Sequence, residues 1–223
     1  MHLILQHEPG EGPGLLGSAL PGARLVKAFE GEPVPEDPRA FDGVAVLGGG
    51  MGVGDLPRLP WLRDELALVK RCVELDVPVL GLCLGSQLLA AALGAKVERA
   101  PQPELGFYRV RLTATDDALL HDAPADFVAF HWHSDRFELP ARAAKLASST
   151  LTPLQAFRHG RAWGLQFHLE LDEPLLEAMI SGSPEELTAA GVDAESLRAQ
   201  AARELPRLRP LAAQVFSRWA ALR

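Results

Sequence analysis

Cysteine is nearly absent from this 223-residue chain, occurring only at positions 72 and 83. Two cysteines in unlike surroundings give no framework of paired spacings, which excludes a disulfide-stapled scaffold. A basic cluster is also missing. Twenty-two Lys and Arg stand against 29 Asp and Glu, for a formal charge of −7. A nucleic-acid partner, which needs a basic stripe, is therefore not expected. No apolar run reaches the roughly 18–20 residues that span a bilayer, so no membrane association is expected either. The opening MHLILQHEPG has too short an apolar stretch for a signal peptide and lacks a basic flank. These absences together imply a cytoplasmic, reducing setting. What is present is a hydrophobic share of 48%, enough to bury a sizeable core without cross-links. The length suits one large α/β domain.

The first half alternates short apolar runs with helical spacing. Strands are expected at Leu3 to Gln6, Arg24 to Phe29 and Gly43 to Leu47, the last running into Gly48-Gly49-Gly50. Trp61 to Leu75 reads as a helix with Leu62, Leu66, Val69 and Val73 on one face. VPVLGL, residues 77–82, is a continuous apolar run suited to a strand buried on both faces, and Ser86 to Leu93 follows as a helix. Further strands are expected at Tyr108 to Thr113 and Asp126 to His131. Leu154 to Arg158 and Ala162 to Phe167 suit a hairpin around His159-Gly160. From Glu173 the chain reads as helical, with breaks at Pro174, Pro184, Pro206 and Pro210. Residues 8–22 and 31–38 read as loops. The alternation predicts a parallel or mixed sheet with helices on both sides.

The richest segment is VPVLGLCLGSQLLAAALGA. Cys83 follows a buried strand at once, a helix begins within about two residues, and Gly81 and Gly85 flank it at i−2 and i+2. That is the pattern of a strained strand–turn–helix corner, where the backbone leaves no room for a Cβ. The following helix aims its unpaired N–H groups at the sulfur and favours a thiolate. Cys72 sits in a charged helix with no such corner and reads as structural. A second signal is the β-like run AWGLQF ending at His168-Leu169-Glu170. The two-residue spacing can set both side chains on one side of a strand end, the carboxylate holding one imidazole nitrogen while the other faces the thiol.

GLCLGSQLLA, together with VLGGGMGV upstream and GLQFHLE downstream, resembles the motifs of class I, triad-type glutamine amidotransferases, in that order and spacing. In length and in the segment DLPRLPWLRDELALVKRCVELDVPVLG, the chain is most similar to stand-alone proteins like the amidotransferase domain of GMP synthase. The resemblance covers about residues 1–185, leaving a helical C-terminal tail of about 186–223. It implies a single domain with a mixed, mainly parallel central sheet flanked by helices, a flavodoxin-like three-layer sandwich. It also implies a Cys83–His168–Glu170 triad. The backbone N–H of Leu84 is expected to stabilise the oxyanion, and the resemblance assigns the second donor to Gly49. Proline usually stands where this chain has Gly50, a departure that would leave the loop less rigid. Gln87 corresponds to a position that helps bind the glutamyl group, and His133, Ser134 and Asp135 to the loop that meets its α-amino and α-carboxyl groups.

No metal and no cofactor are expected. His131 and His133 have ligand-pair spacing, but no further Cys, His or Asp cluster completes a set in the sequence. His2, His7, His121 and His159 have no partner that the sequence identifies. The expected activity is hydrolysis of glutamine to glutamate, with ammonia passed to a separate acceptor enzyme. The chain contains no P-loop and no ATP-pyrophosphatase motif to use the ammonia itself. A stand-alone γ-glutamyl peptidase or amidase is the alternative; a non-catalytic binding module is disfavoured by the intact Cys83, His168 and Glu170. An elbow protease usually has histidine directly after the cysteine, where this chain has Leu84.

Overall fold

The computed structural model describes residues 1–222. Its strands form one nine-stranded mixed sheet in the order β2-β1-β3-β4-β9-β8-β7-β5-β6. The strands are β1 (Leu3–Gln6), β2 (Arg24–Lys27), β3 (Val44–Val46), β4 (Val79–Leu82), β5 (Val97–Leu112), β6 (Asp126–Phe137), β7 (Ala144–Ser148), β8 (Ala156–His159) and β9 (Ala162–Leu165). β2, β1, β3, β4 and β9 run parallel; β8, β7, β5 and β6 continue the sheet in antiparallel pairs. The helices are α1 (Gly14–Ala19), α2 (Pro60–Glu74), α3 (Leu84–Ala92), α4 (Glu173–Gly182), α5 (Pro184–Ala190) and α6 (Ala194–Ala220).

The period-two geometry of a strand explains the three layers. Leu3, Leu5, Val44, Val46 and Val79 face one way, into a core shared with Leu62 and Leu68 of α2 and Leu84 and Leu88 of α3. Ile4, Ala45, Leu80 and Leu82 face the other way, against Leu208, Leu211, Val215, Phe216 and Trp219 of α6. The last helix is therefore built into the main core. Pro174 and Pro184 open α4 and α5 at their first turns, as their missing N–H groups allow.

Pro206 and Pro210 do not break the chain as expected; both lie inside the 27-residue α6. Each removes one backbone bond to the residue four before it, Ala202 or Pro206. Those positions, like the prolines, face solvent, where water can reach the freed carbonyls. Burial of Leu205, Leu208 and Leu211 on the opposite face holds the helix together.

β5 and β6 are also longer than expected. Their register shifts between Arg99 and Glu104, a stretch holding Pro101 and Pro103. The prolines cannot donate to the ladder, so the strand pattern was hidden where the backbone bulges. α1 and β7 went unrecognised. α1 is six residues with two glycines and holds through buried Leu16 rather than propensity. Arg24–Lys27 ends earlier than expected because a 3₁₀ turn over Ala28–Glu30 follows, closed by Gly31 at φ +86°. Among the described residues, no helix is long and apolar enough to cross a membrane.

Candidate active site

Parallel strands all deliver their carboxyl ends to one edge of the sheet, and the loops that leave β1, β3, β4 and β9 there carry the candidate residues. β4 ends at Leu82 and Cys83 follows with φ +48°, a left-handed backbone that a side-chain-bearing residue adopts only under strain. The corner is as tight as the glycines imply. A Cβ on Gly81 would strike the Gly85 carbonyl, and one on Gly85 would strike the Val46 carbonyl. β9 lies beside β4, and the Cys83 N–H donates to the Leu165 carbonyl at 2.9 Å. The chain after β9 therefore passes the thiol. His168 is fixed by its N–H, which donates to Phe130 of β6 at 2.8 Å.

The sequence places Cys83, His168 and Glu170 in a triad, and the fold brings all three together, buried. His168 Nδ1 is 2.8 Å from Glu170 Oε1. Its Nε2 has no partner in hydrogen-bond geometry, yet the ring is close enough to couple electrostatically to the Cys83 thiol. Burial lowers the His168 pKa, but Glu170 and Cys83 outweigh it and hold the imidazole well above its ordinary value. Burial pushes the Cys83 thiol up, and the neighbouring imidazole pulls it part of the way back. Cys72, buried in α2 without such a neighbour, is pushed up to about 12.

The remaining expected residues surround a cavity of about 770 Å³ that opens on Cys83 and is lined by Gly49, Gly50, Leu84, Gln87, His133, Ser134 and Asp135. Gln87 Nε2 donates to Gln166 Oε1 at 3.3 Å, and Gln166 Nε2 reaches Cys83 Sγ at 3.7 Å. Asp135 lies 3.6 Å from the exposed Arg99 guanidinium. His133 lines the cavity, but its Nδ1 donates to the Asp135 carbonyl and its Nε2 faces Glu104.

Several residues at this edge escaped the sequence reading. His7, just past β1, is buried between two acceptors, the Gly48 carbonyl at 2.7 Å and Glu65 at 2.6 Å. Burial opposes its charge, but Glu65 and Gly48 more than offset it and raise its pKa. Pinning the Gly48 carbonyl turns the N–H of Gly49, across the same trans peptide, the opposite way. Glu11 fills the space that a Cβ on Gly48 would need, beside the His168 ring. Its Oε2 has no partner, and burial, with Glu8 and Glu170 nearby, pushes its pKa up to about 8. The only signal for either was their place in the stretch directly after the first strand. Glu104 likewise joins His131 and His133 from a neighbouring strand, a third candidate ligand that sequence spacing does not offer.

Such an edge, with a strained cysteine at a strand–helix corner and a His–Glu pair just past the end of the next parallel strand, defines an α/β protein of the cysteine-elbow kind. The family model for "Glutamine amidotransferase class-I" matches residues 28–198, and the chain belongs to that family of cysteine-dependent amide hydrolases. It is 34% identical over 176 residues to the glutamine amidotransferase-like protein YfeJ of Salmonella typhimurium, covering 74% of this chain and 71% of that one. It is 37% identical over 129 residues to the glutamine-hydrolysing GMP synthase of Thermosipho africanus, covering 56% of this chain and 24% of the synthase. The crystal structure of a glutamine amidotransferase from Thermotoga maritima superposes with a TM-score of 0.92 at 30% identity, covering 99% of this chain and 97% of that one.

Proposed function

We propose that this chain hydrolyses the γ-amide of glutamine through Cys83, His168 and Glu170 and releases ammonia to a separate acceptor enzyme. The observation that carries the reading is the buried His168–Glu170 pair set beside a strained Cys83 at the mouth of the cavity. His168 takes the thiol proton through Nε2, and Glu170, on Nδ1, stabilises the resulting imidazolium. The thiolate attacks the amide carbon, and the negative charge moves to the carbonyl oxygen. The N–H of Leu84, first in α3 and without an intrahelical acceptor, is one donor to that oxygen; the N–H of Gly49 is the other. His168 returns its proton to the leaving nitrogen. Ammonia departs and a γ-glutamyl thioester remains on Cys83. Water, deprotonated by His168, then hydrolyses the thioester to glutamate. Gln87, Gly50, His133, Ser134 and Asp135 line the space for the glutamyl group, and Asp135 offers a carboxylate that an α-ammonium can pair with. Neither a metal nor a cofactor is needed for these steps.

A second reading has its own observation. The cavity is several times larger than glutamine requires, and Met179 of α4 and Glu186 of α5 extend it beyond the elbow. Trp132 Nε1 donates to Glu186 at 2.6 Å and ties that wall in place. The space suits a γ-glutamyl compound whose leaving group is an amino acid or peptide. A panel of glutamine, glutathione and other γ-glutamyl amides, scored for ammonia and glutamate, separates the two. Turnover of glutamine that rises with an acceptor enzyme supports the first reading. Preference for a substituted γ-amide supports the second. No release from any γ-glutamyl compound by the folded protein sinks both.

A further inference from the structure

β5 and β6 run antiparallel, with Glu104 opposite His133 and Gly106 opposite His131. His131 and His133 flank Trp132 on β6, so their imidazoles project from the same face of the strand, and Glu104 reaches that face from β5. One donor atom from each of the three lies within 4.8 Å of the others. All three residues are buried.

The hydrogen bonds leave this cluster short of a positive charge. His133 Nδ1 lies 3.0 Å from the Asp135 carbonyl, which can only accept, so Nδ1 carries the proton. In a neutral ring Nε2 is then a lone pair, and it faces Glu104 Oε2 at 3.3 Å, acceptor against acceptor. His131 has no partner on either ring nitrogen; its ring is held by the edge of Tyr108 and by Phe167. A cation among the three atoms would turn each opposed lone pair into a ligand bond.

We propose that Glu104, His131 and His133 bind one divalent transition-metal ion, with zinc the best match, and that this metal clamps β5 to β6. Two imidazoles and a carboxylate are a donor set that zinc accepts, with a further position for water. The surroundings already orient the ligands. Ser149 Oγ donates to Glu104 Oε1 at 2.6 Å, Gln155 Nε2 donates to Oε2 at 2.7 Å, and the Asp135 carbonyl fixes the His133 tautomer. His133 and Leu105 line the main cavity, which gives an ion its way in. The role is structural. The carbonyl of Trp132, between the two histidines, accepts from the Cys83 thiol at 3.6 Å, and Phe130 pairs with His168. A clamped β6 holds the strand that faces the nucleophile without touching the amide.

The test is a titration of chelator-stripped protein with Zn²⁺ and with Co²⁺, bound metal being counted by elemental analysis and cobalt read by its visible absorption. The expected result is one equivalent per chain, a cobalt spectrum without a thiolate charge-transfer band, a higher Tm with Zn²⁺, and unchanged binding in Cys83→Ala. Glu104→Gln and His131→Gln should each weaken binding by at least about 100-fold. Ser149→Ala, which keeps all three ligands and is the milder change, should weaken it by about 10-fold. Wild-type protein that takes up no stoichiometric metal overturns the proposal and leaves a proton shared between His133 and Glu104. Binding that disappears in Cys83→Ala also overturns it, because the metal then sits on the nucleophile. So does binding that survives both Glu104→Gln and His131→Gln unchanged.

Discussion

Burial dominates the Cys72 thiol, and no imidazole stands beside it, whereas Cys83 has an imidazole beside it and a strained backbone beneath it. The proposed site therefore predicts that Cys83→Ala abolishes γ-glutamyl hydrolysis with the fold intact, while Cys72→Ala leaves turnover near wild type. Equal losses, measured as ammonia release with circular dichroism as the folding control, would remove Cys83 from the role of nucleophile. Glu170 poses a finer question. Its carboxylate sits 2.8 Å from His168 Nδ1, so Glu170→Gln keeps the shape but cannot stabilise the imidazolium. Serine triads lose up to about 10⁴-fold in turnover on the matching change, and a cysteine, less dependent on its base, should lose less. His168→Ala should lose at least as much, and the double variant little more, because the two act as one unit. Near-wild-type turnover in Glu170→Gln would reduce the site to a Cys83–His168 dyad, and fully multiplied losses would place Glu170 on the substrate.

At the scale of elements, legibility follows how local the cause is. The parallel strands and the elbow could be read because their signals are self-contained: continuous apolar runs, and glycines at fixed distances from Cys83. α1 could not, since its helix rests on Leu16 packing rather than on its own residues. His7 and Glu65 were invisible as a pair because 58 residues separate them and only the fold makes them touch. α6 shows the converse error, a strong local signal overridden. Pro206 and Pro210 ought to break a helix, and the packing of Leu205, Leu208 and Leu211 keeps it whole. The helix then still bears the local cost, which a proline in a helix interior sets at about 3 kcal/mol. Pro206→Ala should restore the N–H to the exposed turn and raise stability, by about 1–3 kcal/mol once the gain in unfolded-chain freedom is subtracted. Chemical unfolding of the two proteins measures it, and a Pro206→Ala protein no more stable than wild type would mean that α6 is bent around the proline to fit the core.

Over the whole molecule, the buried titratable groups pull stability in opposite directions with pH. His131, lowered to about 3 chiefly by burial, stays neutral in the fold while the unfolded chain takes up a proton below about 6.5, so its environment costs stability as the solution is acidified. Glu11 does the reverse. Its folded pKa of about 8, raised mainly by burial from 4.5, means that the native state keeps a proton the unfolded chain has released. Between those two values Glu11 holds a proton in the native state that the unfolded chain has lost, and its contribution to stability falls as pH rises. His7 and His168, both raised in the fold, add to that decline above the ordinary histidine range. The Glu11 share is on the order of a few kcal/mol, since each pKa unit is worth about 1.4 kcal/mol. Glu11→Gln keeps the volume and removes the titration. Unfolding free energies from about pH 5 to about pH 8 should therefore decline less steeply in Glu11→Gln than in wild type, with the two proteins diverging most at the alkaline end. The acid limb below about pH 5 should hardly change, because His131 and the carboxylates that govern it are untouched. Parallel slopes through the neutral range would show that Glu11 ionises normally, and that its buried place beside Gly48 and His168 leaves the proton no harder to remove than in the unfolded chain.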